Sequence, residues 1–337
     1  MTTLRAWVVH EPGPLDSGPL RLVTRPVPTP GRDEVLVRVE CCGVCRTDLH
    51  LAEGDLPPRR PDVSPGHQVV GRVVSTGSDV VEVAEGARVG VAWLRRTCGQ
   101  CRWCRHGQEN LCTAPEFTGW DADGGLAEYV VAPAAFTYPL PDDSPAELLA
   151  PLLCAGIIGY RALKRAEMPP GGRLGLYGFG SSAHLTAQLA VAQGAELYVV
   201  TRDEAGRKLA ERLGAVWTGG LSDRPPVPLD AAIVFAPAGE VVPPALEAVG
   251  RGGNVALAGI HMTDVPSLDY ARHLFLEKDL RSVTANTRAD GEEFLRLAGR
   301  LGVRPEVTEY AFDELDKAMG DISGGRLGGS AVVRVSS

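Results

Sequence analysis

The chain has 337 residues, a formal net charge of −8, 44% hydrophobic residues and 23% charged residues, a composition typical of a globular protein with more than one domain. The negative charge, without any lysine or arginine run, argues against a nucleic-acid or anionic-membrane surface. No apolar stretch approaches the ~20 residues that cross a bilayer, so we expect no membrane partner. The first residues, MTTLRAWVVHEPG, lack the features of an export signal, which predicts a cytoplasmic protein whose eight cysteines are reduced.

Short valine-rich segments punctuated by glycine and proline predict a mainly β domain in the first part of the chain. The strand candidates are EVLVRVE (34–40), HQVVGRVVSTG (67–77) and ARVGVAW (87–93). Most cysteines and histidines fall in the long loops between these strands. Loops on a rigid scaffold commonly carry the chemistry of a protein.

Four cysteines of this domain lie in the run TCGQCRWCRHGQENLC, with the spacing C-x2-C-x2-C-x7-C. Thiols at this spacing can converge on one tetrahedral ion, and zinc favours such a shell. Four thiolates leave no open position, so the predicted site is structural rather than catalytic. A disulfide cluster is the alternative, and the absence of an export signal counts against it. The predicted ligands are Cys98, Cys101, Cys104 and Cys112.

From Gly172 onward the sequence alternates between strand and helix patterns, which predicts a parallel sheet covered on both faces. A later helix, 292–303, opens a tail that is more like the β-rich first domain than like a further strand–helix unit. The predicted strands are 173–178, 196–201, 231–236 and 252–260, and the predicted helices between them are 181–194 and 205–215.

The first of these strands runs into the loop GFGSSA and then into a helix, which is the G-x-G-x-x-A pattern in the context that a dinucleotide site requires. Gly178 permits the tight turn and Gly180 lets the backbone approach a pyrophosphate. Ala183 is small enough for close helix–strand packing. Because the helix N-terminus faces the anion, the sequence predicts a dinucleotide cofactor.

The end of the second strand bears on the choice between NAD and NADP. The strand ends in Thr201 and Arg202, at the place where a carboxylate would bind the 2′-hydroxyl of NAD. An arginine suits the 2′-phosphate of NADP instead. The alternative is that Arg202 is merely solvated and that Asp203 or Glu204 serves NAD. We favour NADP.

A second set of possible metal ligands is dispersed along the chain: Cys45 in GVCRTDLH, His67 in SPGHQVVG and Cys154 in APLLCAG. Each residue alone would more often be a buried thiol or a hydrogen-bonded core histidine. Together they offer two thiolates and an imidazole, the set that leaves zinc a fourth, open position. Only the fold can bring them together.

These motifs, in this order and over essentially the whole chain, resemble those of the zinc-dependent medium-chain alcohol dehydrogenases, most of all the yeast-type and bacterial members. The resemblance implies an α/β fold with two domains. A GroES-like, mainly β catalytic domain would comprise 1–155 and 286–337. A Rossmann domain, a doubly wound parallel sheet that binds the coenzyme, would occupy 156–285.

The resemblance also implies two zinc ions per chain. Cys45, His67 and Cys154 match the family's catalytic zinc ligands, and the four loop cysteines match its structural zinc ligands. Cys41 and Cys42 match no ligand position, and we expect them to pack in the core.

In the implied mechanism, an alcohol takes the open position of the catalytic zinc and passes a hydride to the nicotinamide, and the reverse reaction reduces an aldehyde or ketone. Thr47 and His50 match the family's proton relay. Asp48 matches the carboxylate that orients His67. Arg46 matches the arginine that contacts the pyrophosphate.

Two tryptophans, Trp93 and Trp120, match substrate-pocket aromatics of the family. Ala52 and Leu56 stand where yeast-type enzymes have tryptophans, which predicts room for medium-chain or aromatic alcohols. Gln68 replaces a common glutamate beside the metal, and we expect a more electrophilic zinc environment as a result.

The leading hypothesis is a zinc-dependent alcohol dehydrogenase for primary or secondary alcohols, with an alcohol or aldehyde as its small-molecule partner. One alternative is an NADPH-preferring aldehyde reductase of the cinnamyl-alcohol-dehydrogenase type. Another is a dinucleotide-binding structural or regulatory protein without turnover. By analogy with bacterial relatives we expect a homo-oligomer, a dimer or a tetramer.

Overall fold

The structure is a computed structural model that describes residues 2–336. It is an α/β protein in which one compact unit is mainly β and the other contains a parallel sheet with helices, so the predicted fold class is confirmed. The first unit comprises Met1–Cys154, Ala285–Glu292 and Glu306–Ser337, and the second comprises Ala155–Thr284 and Glu293–Pro305.

The strands follow the valine-rich and apolar segments that the sequence marks. In chain order they are β1 (Thr3–Val9), β2 (Leu20–Pro26), β3 (Glu34–Val44), β4 (Gln68–Thr76), β5 (Arg88–Val91), β6 (Leu94–Arg96), β7 (Glu116–Phe117), β8 (Tyr129–Pro133), β9 (Thr137–Pro139), β10 (Arg173–Tyr177), β11 (Glu196–Val200), β12 (Ala215–Gly219), β13 (Leu229–Val234), β14 (Val249–Leu257), β15 (Asp279–Ser282), β16 (Val307–Ala311) and β17 (Ser330–Arg334).

The helices are short in the first unit and longer in the second. In chain order they are α1 (Arg46–Glu53), α2 (Arg102–Arg105), α3 (Ala146–Leu149), α4 (Ala155–Ala166), α5 (Ser181–Ala192), α6 (Glu204–Arg212), α7 (Val242–Ala248), α8 (Tyr270–His273), α9 (Arg288–Leu301) and α10 (Leu315–Ser323).

The first unit is built on a seven-stranded sheet in the order β16-β17-β3-β4-β5-β9, with β8 also paired to β3. Neighbouring strands are antiparallel except β16 and β17. Strand β3 runs four residues beyond the predicted segment, and there Cys41 and Cys42 are buried, as expected. Because Gly43 of β3 pairs with Gln68 of β4, the end of one strand lies beside the start of the other.

The second unit contains a six-stranded parallel sheet in the order β12-β11-β10-β13-β14-β15. The sequence did not predict its outer strands, β12 and β15. The chain moves outward from β10 to β12 and then returns to the other side of β10 with β13. The strand order therefore reverses beside β10, and such a switch point is where open α/β sheets bind their ligands.

One segment departs from the predicted domain boundaries. All of 286–337 was expected in the first domain, but Glu293–Pro305 belongs to the second compact unit. The reason is packing against α4: the Tyr160 hydroxyl donates a 3.0 Å hydrogen bond to Glu293, and a side chain at Gly156 would collide with the ring of Phe294.

One helical run, Ala146–Ala166, is long and apolar enough to cross a membrane by length and composition, which differs from the expectation that no such stretch exists. Of its most apolar window, 61% is buried inside the protein. Helices that lie in the core of soluble proteins pass the same test, because burial in a core selects the same residues as burial in a bilayer.

Candidate active site

The structure brings together the three dispersed ligand candidates within the first unit. The Nε2 atom of His67 lies 3.4 Å from the Sγ atom of Cys45 and 3.3 Å from the Sγ atom of Cys154. The three ligand atoms all lie within 4.8 Å of one another. Two thiols and an imidazole at these distances can share one ion.

The sheet register explains this convergence. Cys45 directly follows β3 and is the N-cap of α1, and His67 directly precedes β4. Since these strand ends are neighbours through the Gly43–Gln68 pair, the two side chains lie side by side. Cys154 comes from a third place, the end of the short 3₁₀ turn Ala150–Leu153.

The three ligand candidates Cys45, His67 and Cys154, here called the trio, have strongly shifted pKa values. A hydrogen bond from the Cys154 thiol, with help from His67, lowers the pKa of Cys45 to about 5, although burial opposes this shift. The same hydrogen bond and burial raise the pKa of Cys154 well above its usual value. Burial alone would lower the pKa of His67, but the charges of Cys45 and Asp48 raise it to about 10. Near neutral pH the trio therefore holds two protons, one on Cys154 and one on the imidazole.

Asp48 fixes the positions of the residues around the trio. Its carboxylate accepts 2.9 Å hydrogen bonds from the backbone N–H groups of Cys45 and Gly66. Its Oδ1 atom lies 3.5 Å from Nδ1 of His67. Burial raises the pKa of Asp48, but His67 and the two amides outweigh it and hold the pKa below its usual value. A carboxylate fixed in this way orients the imidazole so that Nε2 points at the two sulfurs.

Helix α1 also carries the two residues predicted to relay a proton. Thr47 is buried and its hydroxyl makes no hydrogen bond with any residue that the structure describes. His50 lies one turn further along the same helix, and its Nδ1 atom is 2.9 Å from Oδ2 of Asp55. Sequence reasoning missed Asp55, although a carboxylate just past the helix C-cap was a visible signal.

Two further residues near the trio contrast in their exposure. Gln68 is buried and packs its side chain over Gly43, and its Nε2 atom has no hydrogen-bond partner among the residues that the structure describes. Arg46, at the start of α1, is exposed and forms no ion pair within residues 2–336. The guanidinium of Arg46 is therefore free for an external anion.

The four loop cysteines also converge. The Sγ atom of Cys104 lies 3.5 Å from that of Cys101 and 4.0 Å from that of Cys98. Tetrahedral zinc with Zn–S bonds of 2.3 Å places its sulfurs about 3.8 Å apart, so these separations fit such an ion. All eight cysteines are free, which rules against the disulfide alternative.

Backbone N–H groups donate hydrogen bonds to the sulfur atoms of this loop. The N–H groups of Cys98 and Ala114 donate to Sγ of Cys112, and that of Cys101 donates to Sγ of Cys98. Hydrogen bonds from the amides of Cys104 and Thr113 lower the pKa of Cys101 to about 6. Burial and hydrogen bonds to Cys101 and Cys112 instead raise the pKa of Cys104 to about 11. The loop amides therefore favour the thiolate form at Cys101, which is the form that binds a cation, but not at every cysteine of the loop.

The dinucleotide loop lies in the second unit, directly after β10. Gly178 has a φ of +87°, and a Cβ there would approach the backbone nitrogen of Ala236 to 2.8 Å, so only glycine fits. A Cβ at Gly180, the N-cap of α5, would meet no protein atom within 4 Å. This open space above a helix N-terminus is where a pyrophosphate would bind. Ala183 is fully buried, as close helix–strand packing requires.

Asp203 and Glu204, the carboxylates that would bind NAD in the alternative interpretation, are engaged with other groups of the protein. Asp203 is the N-cap of α6 and accepts hydrogen bonds from the backbone N–H groups of Ala205 and Gly206. Glu204 forms an ion pair with Lys208. Thr201 is buried, whereas Arg202 is exposed and has no ion pair in the described part of the chain.

Comparisons with known proteins show the family of this chain. Residues 31–142 match the model of the alcohol dehydrogenase GroES-like domain. The chain is 57% identical, over 99% of its length and 98% of the relative, to a protein of Mycobacterium tuberculosis described as a "Probable alcohol dehydrogenase AdhA". It belongs to the zinc-dependent medium-chain alcohol dehydrogenases.

Solved structures of other dehydrogenases have the same fold. A cinnamyl alcohol dehydrogenase of Sorghum bicolor superposes with a TM-score of 0.90 at 27% identity, over 99% of this chain and 98% of that one. A thermostable alcohol dehydrogenase of Pyrobaculum aerophilum with bound cobalt and zinc gives a TM-score of 0.90 at 25% identity, over 99% and 100% of the two chains. The predicted GroES-like and Rossmann folds are confirmed.

In this dehydrogenase, both predicted pocket tryptophans belong to an aromatic cluster that we define as Trp93, Phe117 and Trp120. Trp93 packs edge-on against the imidazole of His67, with ring centroids 4.9 Å apart. The three rings of the cluster stack on one another at centroid distances of 4.9 to 5.9 Å. Sequence reasoning missed Phe117, because an isolated phenylalanine on a two-residue strand gives no pattern.

The two small residues expected in the pocket differ from each other. Leu56 is partly exposed, and its place beside a substrate stays a prediction. Ala52 is fully buried in the hydrophobic core of the first unit, so it offers no surface to a substrate. It faces the core because it lies on the buried side of the amphipathic helix α1.

Proposed function

We propose that this protein interconverts primary or secondary alcohols, of medium chain length or aromatic, with their aldehydes or ketones at a site built on Cys45, His67 and Cys154. The observation that carries the proposal is the convergence of these three ligand atoms within 4.8 Å in a chain that belongs to the alcohol dehydrogenases. Three protein ligands, rather than four, leave one position of a tetrahedral ion to a substrate.

The donor set fits zinc. A divalent cation that displaces the two protons of the trio leaves the net charge of the buried cluster unchanged, so binding carries no added cost of burying charge. Zinc supplies Lewis acidity, which lowers the pKa of an alcohol and polarises a carbonyl. The loop cysteines Cys98, Cys101, Cys104 and Cys112 would hold a second ion, giving two zinc ions per chain.

The residues of α1 would move the proton. Thr47, whose hydroxyl has no protein partner among the described residues, would accept the alcohol proton while it gives up its own hydroxyl proton in the direction of His50. Asp55 accepts a hydrogen bond from Nδ1 of His50 in the tautomer that leaves Nε2 as the basic atom. His50 is only partly buried, with a side-chain exposure of 14%, and can return the proton to water.

The coenzyme would bind to the loop after β10, with its pyrophosphate over Gly180 and the N-terminus of α5. Its nicotinamide ring accepts or donates the hydride. NADP is favoured over NAD because Asp203 is engaged as a helix cap whereas the guanidinium of Arg202 is free. Arg46 would supply a further positive charge to the pyrophosphate.

A second candidate function is an NADPH-preferring aldehyde reductase. The free Arg202 and the likeness to the Sorghum bicolor cinnamyl alcohol dehydrogenase favour it. The two candidates differ in coenzyme and preferred direction and share the same site. Rates for benzyl alcohol with NAD⁺ or NADP⁺, and for benzaldehyde with NADH or NADPH, distinguish them.

We also propose a homo-oligomer, in the cytoplasm. Large apolar side chains of the second unit are exposed just before the edge strand β15, and two of them, Tyr270 and Phe275, contact each other. Exposed aromatic groups beside an unpaired sheet edge are typical of an interface between subunits. Light scattering of the purified protein would give the subunit number, and a monomer would contradict this proposal.

The central test of the function is Cys45→Ser, with Cys41→Ala as the matched control. We expect two zinc ions per wild-type chain, one in Cys45→Ser and two in Cys41→Ala. Alcohol oxidation should fall to background in Cys45→Ser, while its far-ultraviolet circular dichroism stays that of the wild type. Full activity in Cys45→Ser, or a wild type that turns over none of a panel of alcohols and aldehydes, would contradict the proposal.

A further inference from the structure

A charged pair, Arg59 and Asp121, lies against the aromatic cluster. The guanidinium carbon of Arg59 lies 3.7 Å from the ring centroid of Trp120. Its Nη1 atom donates a 2.7 Å hydrogen bond to Oδ1 of Asp121. This arrangement combines a cation–π contact with an ion pair on one side chain.

Asp121 connects this pair to the rest of the cluster. Its second oxygen, Oδ2, accepts a 2.8 Å hydrogen bond from the backbone N–H of Phe117. The indole N–H of Trp120 donates a 2.8 Å hydrogen bond to the carbonyl oxygen of Pro57, two residues before Arg59. Two loops far apart in sequence are therefore joined by three contacts, two at Trp120 and one at Asp121.

The cluster in turn touches the predicted metal site. Trp93 stacks on both Phe117 and Trp120, and its edge packs against the imidazole of His67. Trp120 thus supports Trp93 from the other side of the stack, and Trp93 is the ring that borders the predicted zinc ligand His67. A planar, stacked boundary fits flat aromatic alcohols better than small, branched ones, because ring edges and faces make contact over a larger area.

We propose that Arg59, together with Asp121, is a positioning residue that holds Trp120 in the stack and thereby selects aromatic alcohols as substrates. The inference rests on the proposed function for its substrate and on the described contacts for its structure. Among residues 2–336, the hydrogen bonds and ring contacts of Arg59 are to Asp121 and Trp120, not to the zinc-ligand candidates or the proton relay, so it acts through Trp120.

The neighbouring residue Arg60 provides the matched control. The Arg60 side chain is 44% exposed and that of Arg59 is 46% exposed. The ion pair of Arg60 with Asp123 is longer, at 3.6 Å, than the 2.7 Å pair of Arg59 with Asp121. Arg60 lies over no aromatic ring of the described structure. Loss of its charge therefore reports the general effect of removing a surface arginine, which is small.

The experiment compares Arg59→Gln, Arg59→Lys and Arg60→Gln with the wild type. In Arg59→Gln we expect KM for benzyl alcohol to rise about three- to fivefold, the loss that corresponds to one cation–π contact, with kcat changed by less than about twofold. KM for ethanol should change little, since ethanol has no flat ring to make an extended contact with the stack. Arg59→Lys should recover part of the effect because it keeps the charge without the planar group.

The near-ultraviolet circular dichroism of the same variants tests the structural part without substrate. The stacked indoles of Trp93 and Trp120 should give a signal that Arg59→Gln reduces and Arg60→Gln leaves intact. An unchanged spectrum in Arg59→Gln, or equal KM changes for benzyl alcohol in Arg59→Gln and Arg60→Gln, would overturn the inference. Absence of alcohol oxidation in the wild type would instead overturn the proposed function, because the spectrum does not depend on turnover.

Discussion

The Oδ1 atom of Asp48 lies 3.5 Å from the Nδ1 atom of His67, and both side chains are almost fully buried. Asp48 is three residues from Cys45 and accepts its backbone N–H. One carboxylate therefore fixes the backbone of one predicted zinc ligand and the ring of another. This dependence gives the first prediction.

Asp48→Asn should weaken zinc binding at the trio. The amide keeps the size of the side chain but removes the negative charge that stabilises the imidazole, and loss of such a partner typically costs about ten- to a hundredfold in metal affinity. Competition with a chromophoric chelator measures the change. The loop zinc should stay bound, and equal loss of both ions would show that the variant unfolds rather than loses one site.

The protonation of the trio gives the second prediction, a steep pH dependence of zinc binding. Between the pKa of about 5 for Cys45 and about 10 for His67, the metal-free trio carries two protons that an ion must displace. Raising the pH lowers the cost of displacing them, so affinity should rise with pH, by about two log units per pH unit.

Calorimetry tests this count directly. Protein that keeps only its loop zinc after mild chelation is titrated with zinc at pH 7 in buffers of different ionisation enthalpy. The dependence of the heat on the buffer gives the number of protons released, and we expect about two. Release of no proton would mean that His67 and Cys154 are already deprotonated, contrary to the directions of their shifts.

Arg202→Ala should raise KM for NADP⁺ about tenfold, the loss expected for a charge-assisted contact to the 2′-phosphate, and should leave KM for NAD⁺ nearly unchanged. The matched variant is Asp203→Ala at the next position. Because Asp203 caps α6, this change should lower stability by about 1 kcal/mol and leave the coenzyme preference intact. A shift toward NADP⁺ in Asp203→Ala would show that its carboxylate faces the coenzyme.

Arg288→Met should destabilise the first unit by about 3 kcal/mol, because it removes the guanidinium from the buried carboxylate of Glu109 and leaves that carboxylate only the backbone N–H of residue 288. Both Nε and Nη2 of Arg288 bond to Glu109, which lies between two of the predicted zinc ligands of the loop. Urea denaturation followed by circular dichroism measures the loss. Lys317→Met, at an exposed pair with Glu314, is the control and should change stability by less than about 0.5 kcal/mol.

The sequence alone determined those features whose parts are close along the chain. The spacing of the four loop cysteines and the glycines of GFGSSA predicted local geometry that the structure contains, because a short loop has few ways to arrange its ligands. The alternation of strands and helices likewise predicted the parallel sheet. The family resemblance, carried by the same motifs, supplied the grouping of Cys45, His67 and Cys154.

Only the tertiary structure decided contacts between distant segments. The register that pairs Gly43 with Gln68 brings Cys45 to His67, and a shift of one residue would turn the side chains to the opposite face. The stacking of Arg59 on Trp120 joins two loops whose residues are 61 positions apart, and no sequence pattern predicts a contact over that separation. The engagement of Asp203 as a cap also depended on where α6 begins, since the backbone amides of a helix start compete with a ligand for the same carboxylate.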